Sequence, residues 1–429
     1  MDGQPGPAGP GCSVQGGMMT RGGVRASSTD IAAPVLMTGR GAPARGIVRR
    51  ACRFPAPDPR DPMIHRPLFR ACAAALALAA IGACKRSPTD PSRPGTFLVT
   101  FLGVPAGAAS FSPRAVAAGR VVGVAAGGGT PRAVQWAGGA FTPVGPAAPA
   151  GCHSEPVAAR GSFTVGQITC TASGGPAGQP VDAYGWIAGQ NPAPRLFAEP
   201  YTFVGVNRDG AVAGTLNPGA QFPQGARRAF LRTAGGAVAV LVPPGATGSE
   251  GVGITDAGEV VVNAYYSCLA DSSEDCDLSR VLAWNGAAWT EIRVPARAER
   301  AVAVAVSPEG EVAGYAFGEA DQVFLYELDG NDLDVLPVIP GTRVLLSGAN
   351  VRGQVVGTGV RTEVTGRAPS YGIVWGDNRQ YDLSERVTGN VDVRVTAALA
   401  TDDEGRIAGT GINLENGQEG AILLVPTSL

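Results

Sequence analysis

A short motif, Gly-x-aliphatic-small-Gly, recurs along the chain and constrains its fold more than any other feature. It reads Gly119-Arg-Val-Val-Gly123, Gly210-Ala-Val-Ala-Gly214, Gly310-Glu-Val-Ala-Gly314, Gly353-Gln-Val-Val-Gly357 and Gly405-Arg-Ile-Ala-Gly409. Gly258-Glu-Val-Val-Val262 lacks the second glycine, and Gly161 to Gly166 is a stretched copy. The first glycines lie 42 to 52 residues apart, about 48 on average. A fixed period of this length marks a repeat architecture in which each unit is one supersecondary element.

One unit shows what that element is. Val302-Ala-Val-Ala-Val306 alternates as a strand and runs into Ser307-Pro-Glu-Gly310, a tight turn whose glycine supplies positive φ. Glu311 to Phe317 returns as a second strand, Val323 to Tyr326 forms a third, and Leu333 to Val338 follows Asp329-Gly-Asn as a fourth. Third strands carry a bulky position: Trp136, Trp186, Phe230, Trp284, Phe324, Trp375 and Ile422. Four short antiparallel strands in about 48 residues make one propeller blade. Seven motifs predict an all-β chain, a single β-propeller of seven four-stranded blades. The last unit stops after its third strand, Ala421 to Val425, while an orphan strand, Gly95 to Leu102, precedes the first motif. Pairing these N- and C-terminal strands would close the ring.

Val206-Asn207-Arg-Asp-Gly210 with Arg228-Ala-Phe-Leu231, and Asn350-Val-Arg-Gly353 with Asp382-Leu383, carry a further signal. They resemble the bacterial extracellular HAF-type repeats, whose units read approximately aIN-x-x-G-x-VVG, then x-AF-x-W, then dL. The resemblance spans about residues 105–429 and departs in the second unit, where Ala158-Ala-Arg-Gly161 and Gly185-Trp186 are poor copies. It implies the fold and brings no catalytic residues.

The propeller, residues 96–429, follows a segment of different character. Arg66 and Arg70 precede an apolar run from Ala71 to Ile81, too short to span a bilayer as a helix. The run closes on Ile81-Gly82-Ala83-Cys84, which resembles a lipobox, so residues 63–83 read as a lipoprotein signal peptide and Cys84 as the lipidation site. Residues 84–95 read as a flexible tether. Residues 1–62 are rich in Gly, Pro, Ala and Arg, without apolar periodicity, and lie upstream of a complete signal peptide. They are expected to be a spurious or disordered extension, with Met63 the real initiator. The expected location is the cell envelope, lipid-anchored, at the outer membrane or cell surface.

Residues 84–429 carry 24 basic and 32 acidic groups, a net charge of −8. An acidic domain without a basic stripe is a poor binder of phosphate backbones, which excludes nucleic acid as a partner. Four cysteines remain beyond Cys84, an even number suited to an oxidising compartment. Two local disulfides are expected, Cys152–Cys170 and Cys268–Cys276. His153 is the one histidine after the signal peptide, so a Ser-His-Asp triad or a histidine-based zinc site has no material.

The acidic loop holding Asp271, Asp275 and Asp277 is a weak calcium candidate, read more simply as a solvated hairpin tip; otherwise no cofactor is expected. Asp209, Asp256, Asp402 and Asp403 precede turn glycines, and hairpin chemistry accounts for them. The third-strand tryptophans are read as blade packing, with sugar stacking as the alternative. These features favour a monomeric, non-catalytic propeller presenting a binding face to protein or glycan. The alternatives are a polysaccharide hydrolase or lyase with channel carboxylates, and an envelope scaffold.

Overall fold

The computed structural model describes residues 94–170, 183–189, 195–197, 201–216, 227–267, 277–362, 370–377, 379–389 and 391–427. Cys84 and the expected signal, tether start and N-terminal extension lie outside them, as do Cys268, Cys276, Asp271 and Asp275. Asp277 begins a strand, but its side chain is likewise outside the description.

The described strands form seven antiparallel sheets, six of them four-stranded in sequence order. The first strands of blades 1 to 7 are Ser110–Ala117, Cys152–Arg160, Tyr201–Val206, Gly248–Ile254, Ala298–Val306, Thr342–Ala349 and Val393–Thr401. The orphan strand, Phe97–Phe101, pairs antiparallel with Glu419–Pro426 and supplies the missing fourth strand of blade 7. Val387–Thr388 adds a two-residue parallel edge beyond it, and Leu383–Arg386 is a short 3-10 turn. The core is divided rather than central. Seven apolar clusters each fill the gap between two neighbouring blades, including the one that joins blade 7 to blade 1.

The repeated residues explain how one unit is built. The first glycine of every motif has positive φ, from 55° at Gly161 to 105° at Gly310. Blades 1 and 2 turn in two residues. In the other five, a short polar residue three positions before the glycine closes the turn with its side chain. The Asn207 and Asn350 Oδ1 atoms each accept two backbone N–H groups, as does Asp402 Oδ1, while the Thr255 and Ser307 hydroxyls accept the N–H of Glu259 and Glu311.

The second glycine answers a different demand. Each first strand carries a bulge, and the glycine pairs with the residue just before it, as Gly123 with Pro113 and Gly409 with Ala398. A Cβ on Gly409 would fall 2.1 Å from the Ala397 carbonyl oxygen, and one on Gly314 2.4 Å from that of Val302. In blade 4 the pair is inverted: Val262 faces Gly251.

In blades 3, 4 and 5 the residue after the second glycine position ties one blade to the next. Thr215 Oγ1 accepts the Gly251 N–H at 3.1 Å. Asn263 Oδ1 accepts the Ala303 N–H at 2.8 Å while its Nδ2 donates to the Ala303 carbonyl at 3.0 Å. The Tyr315 hydroxyl accepts from Leu346 N–H at 2.7 Å and donates to Val344 O at 3.1 Å. The receiving residue in blades 1 and 2 is a proline, Pro113 or Pro156, with no N–H to give. Accordingly Val124, at this position in blade 1, is apolar, and Thr410 in blade 7 bonds Thr396 instead.

The bulky third-strand residues occupy two positions, not one. Trp186, Phe230, Phe324 and Ile422 stand opposite the second glycine and are fully buried. Trp136, Trp284 and Trp375 come two residues later; Val134, Leu282 and Ile373 take the glycine-facing place in their blades. All seven side chains pack between blades, which accounts for the tryptophans without sugar stacking.

Candidate functional site

The bulges also define the central channel. Each leaves one extra residue in the first strand: Arg114, Val157, Val204, Val252, Val304, Ser347 and Leu399. The first six line a cavity of about 450 Å³. The following residue is Ala or Gly in every blade, because first strands crowd here. A Cβ on Gly253 would meet Val306 at 2.8 Å. The waist of the channel is therefore small and apolar, with Arg114 as its charge, half exposed and 3.7 Å from Glu155.

At the end where first and second strands join, the channel is tied across. Arg160 of blade 2 donates to Asp256 of blade 4 through Nη2 at 2.5 Å and to Asp403 of blade 7 through Nη1. Asp256 also accepts the Arg208 backbone N–H at 2.9 Å, and Arg352 Nε donates to the Asp403 carbonyl at 2.9 Å. Burial alone would lower the Arg160 pKa, but its bonds and attraction to the two carboxylates outweigh this and raise it. Burial alone would raise Asp256, but Arg160 and Arg208 hold it below the ordinary carboxylate range. Asp402, on the neighbouring turn, goes the other way: burial raises it despite its 2.7 Å bond from Arg406.

Asp402 thus serves its hairpin as the sequence implied, whereas Asp256 and Asp403 do not; they anchor a cation from another blade. The signal lay in the departure of blade 2 from the repeat. Arg160 stands where other units place Asn207, Thr255, Ser307, Asn350 and Asp402. A long cation at a position reserved for short turn-closing groups has to find partners elsewhere.

Removing this cation leaves two carboxylates facing each other in a confined space. Arg160→Ala should destabilise the protein by about 2 kcal/mol at neutral pH, between the values typical of exposed and buried pairs. Asp256 is depressed in the folded state, so its contribution is present above the ordinary aspartate value of 3.8 and is lost as pH falls through the folded value. The difference between variant and wild type, read by denaturant titration, should therefore shrink below about pH 4. A difference that does not vary with pH would show that the tie is not ionic.

The expected Cys152–Cys170 disulfide is present, joining directly opposed residues at the far end of blade 2 from Arg160, with Cα atoms 4.0 Å apart. His153 is half buried beside it and pairs with Thr169. Among the described residues, no three His, Cys, Asp or Glu side chains gather as a metal site, and no helix is long and apolar enough to cross a membrane.

Solved propellers are similar in fold. The β-propeller domain of the Trilobed protease from Pyrococcus furiosus, described as having an open velcro topology, aligns over 73% of this chain and 97% of its own length. Its identity is 11% and its TM-score 0.48. The acylaminoacyl peptidase of Pyrococcus horikoshii gives 11% identity and a TM-score of 0.47 over 73% of this chain, which spans half of that protein. YCF48 bound to D1 peptide gives 14% identity and a TM-score of 0.41, with 80% of this chain and all of that chain aligned. No family model and no curated protein matches the sequence.

Proposed function

We propose that this chain is a lipid-anchored envelope protein of the HAF-repeat type, attached through Cys84, whose monomeric propeller presents a binding face to a glycan or protein. The observation that carries the reading is the fate of the channel carboxylates. Asp256 and Asp403 both bind the Arg160 guanidinium across the channel, and Asp402, which burial raises, is held by its own turn and by Arg406, so none of the three stands free for glycoside chemistry. At the level of the bulges the channel wall is small and largely apolar, a surface suited to contact. The Cys152–Cys170 bridge fits an oxidising compartment.

Two measurements test this reading. Cys84→Ser should move the protein from the membrane to the soluble fraction, and continued membrane association would refute the anchor. A polysaccharide panel should show retention without new reducing ends. Release of reducing ends that is abolished by Asp256→Asn would establish the hydrolase instead.

A further inference from the structure

Three arginines stand at one register level on the first strands of three consecutive blades. Arg300 in blade 5 pairs with Phe317, Arg343 in blade 6 with Val360, and Arg394 in blade 7 with Ile412, each partner lying three residues beyond the second glycine position. The same level holds Ser110 in blade 1, His153 in blade 2 and Gly248 in blade 4. The arc lies toward the starts of these strands, at the end of the channel opposite the Arg160 tie. Arg300 and Arg394 are exposed. Arg343 is half buried, and its Nε is buried without a hydrogen-bond partner.

Among the described residues, none of the three has a carboxylate within ion-pair distance, although Glu299 and Asp392 are near in sequence. The acids of the first strands elsewhere at this end are engaged: Glu155 accepts from Gln167, and Glu250 binds Arg227 and Tyr265. The Arg300 guanidinium lies over Phe317, 4.6 Å from the ring centre, a contact that restrains it. In a domain of net negative charge, three cations on neighbouring blades with no ion-pair partner among the described residues are a local reversal.

We propose that this arc binds an acidic polysaccharide, with carboxylates spaced along the ligand meeting one guanidinium per blade. The inference rests on the binding reading above and names its ligand class. A repeating anion fits because the cations themselves repeat at the blade interval, and the planar guanidinium grips a carboxylate with two hydrogen bonds.

The test uses the detergent-solubilised full chain, with polygalacturonate as probe and dextran as neutral control. Wild type should bind polygalacturonate with an affinity that falls as salt rises, and should ignore dextran. Arg300→Ala, Arg343→Ala and Arg394→Ala should each weaken binding about tenfold, and the triple variant should abolish it. Arg280→Ala, which removes a cation already paired with Glu291, should change little. Unchanged melting temperatures will show that the variants fold, and Arg343→Lys should recover part of the loss. Failure of wild type to bind polygalacturonate, or a triple variant within twofold of wild type, would overturn the proposal. So would arginine-dependent retention on phosphatidylglycerol vesicles in preference to polygalacturonate. Binding of a neutral glycan untouched by these variants would remove this inference and leave the general binding function standing.

Discussion

Deleting Phe97–Phe101 should abolish cooperative folding at 37 °C. This strand is the fourth of blade 7, yet it comes from the other end of the sequence. Its five residues pair in register with Ile422 to Pro426, and Thr96 and Thr427 extend the pairing with a backbone hydrogen bond of 2.9 Å. Phe97 is 1% exposed and belongs to the cluster between blades 6 and 7, with Val99 and Phe101 against it. Removing the Phe97 side chain alone should cost about 3–5 kcal/mol. Loss of the whole strand also strips a row of backbone partners from Glu419–Pro426 and uncovers apolar surface, so the total should reach the stability of an ordinary domain, about 5–15 kcal/mol. Thermal melting and light scattering will read the result as a broad transition with association through the exposed edge. Restoring the same five residues behind Pro426, with a two-residue Asn-Gly turn in place of residues 427–429, should recover the melt, because Phe97 pairs with Pro426 in the antiparallel sense that a hairpin requires. A deletion variant that still melts cooperatively within about 1 kcal/mol of wild type would show that ring closure does not matter to stability.

The repeat made the fold legible because its residues are dictated by local backbone demands. Gly310 and its counterparts need positive φ, and Gly409 and its counterparts face a bulge that leaves no room for Cβ. Both constraints act within one hairpin, so they recur at a readable period. Counting such units, and noting that the last lacked a strand while the first had one to spare, was enough to predict seven blades and the manner of closure. The side chains that meet across the channel were not legible in the same way. Asp256 and Asp403 look like any turn acid in their own units, and only the ring brings them to Arg160, from 96 and 243 residues away in sequence. The third-strand residues fell between these cases. Trp136 and Trp186 are bulky members of similar strands, but their registers differ by two, which periodicity at a resolution of one strand does not separate. The alternating prolines and hydrogen-bond acceptors between blades were present in the sequence too. Pro113 and Pro156 take their meaning from the ring, where they hold the register position whose N–H is bonded by the preceding blade in blades 4, 5 and 6.

Gly409→Val should destabilise the protein by more than about 3 kcal/mol, and the reason extends to a reciprocal variant. The added Cβ would lie 2.1 Å from the Ala397 carbonyl oxygen and 3.2 Å from its carbonyl carbon. Those atoms belong to the bulged strand of blade 7, which is held on its other side by the crowded channel wall, so the backbone has little freedom to retreat. Blade 4 shows the alternative solution, with Val262 in the glycine position, fully buried, and Gly251 opposite it. Converting that blade to the common pattern should therefore harm it. Val262→Gly removes a buried side chain from the cluster between blades 3 and 4 and should cost about 2–4 kcal/mol through lost burial and added chain entropy. Adding Ala398→Gly to Gly409→Val recreates the arrangement of blade 4 in blade 7 and should recover at least about 1 kcal/mol, measured as a coupling energy in a double-mutant cycle. If Gly409→Val melts as wild type does, or if Val262→Gly is stabilising, then the repeated glycine is not set by the bulge. Its recurrence would then need another cause than the approach of the first strand.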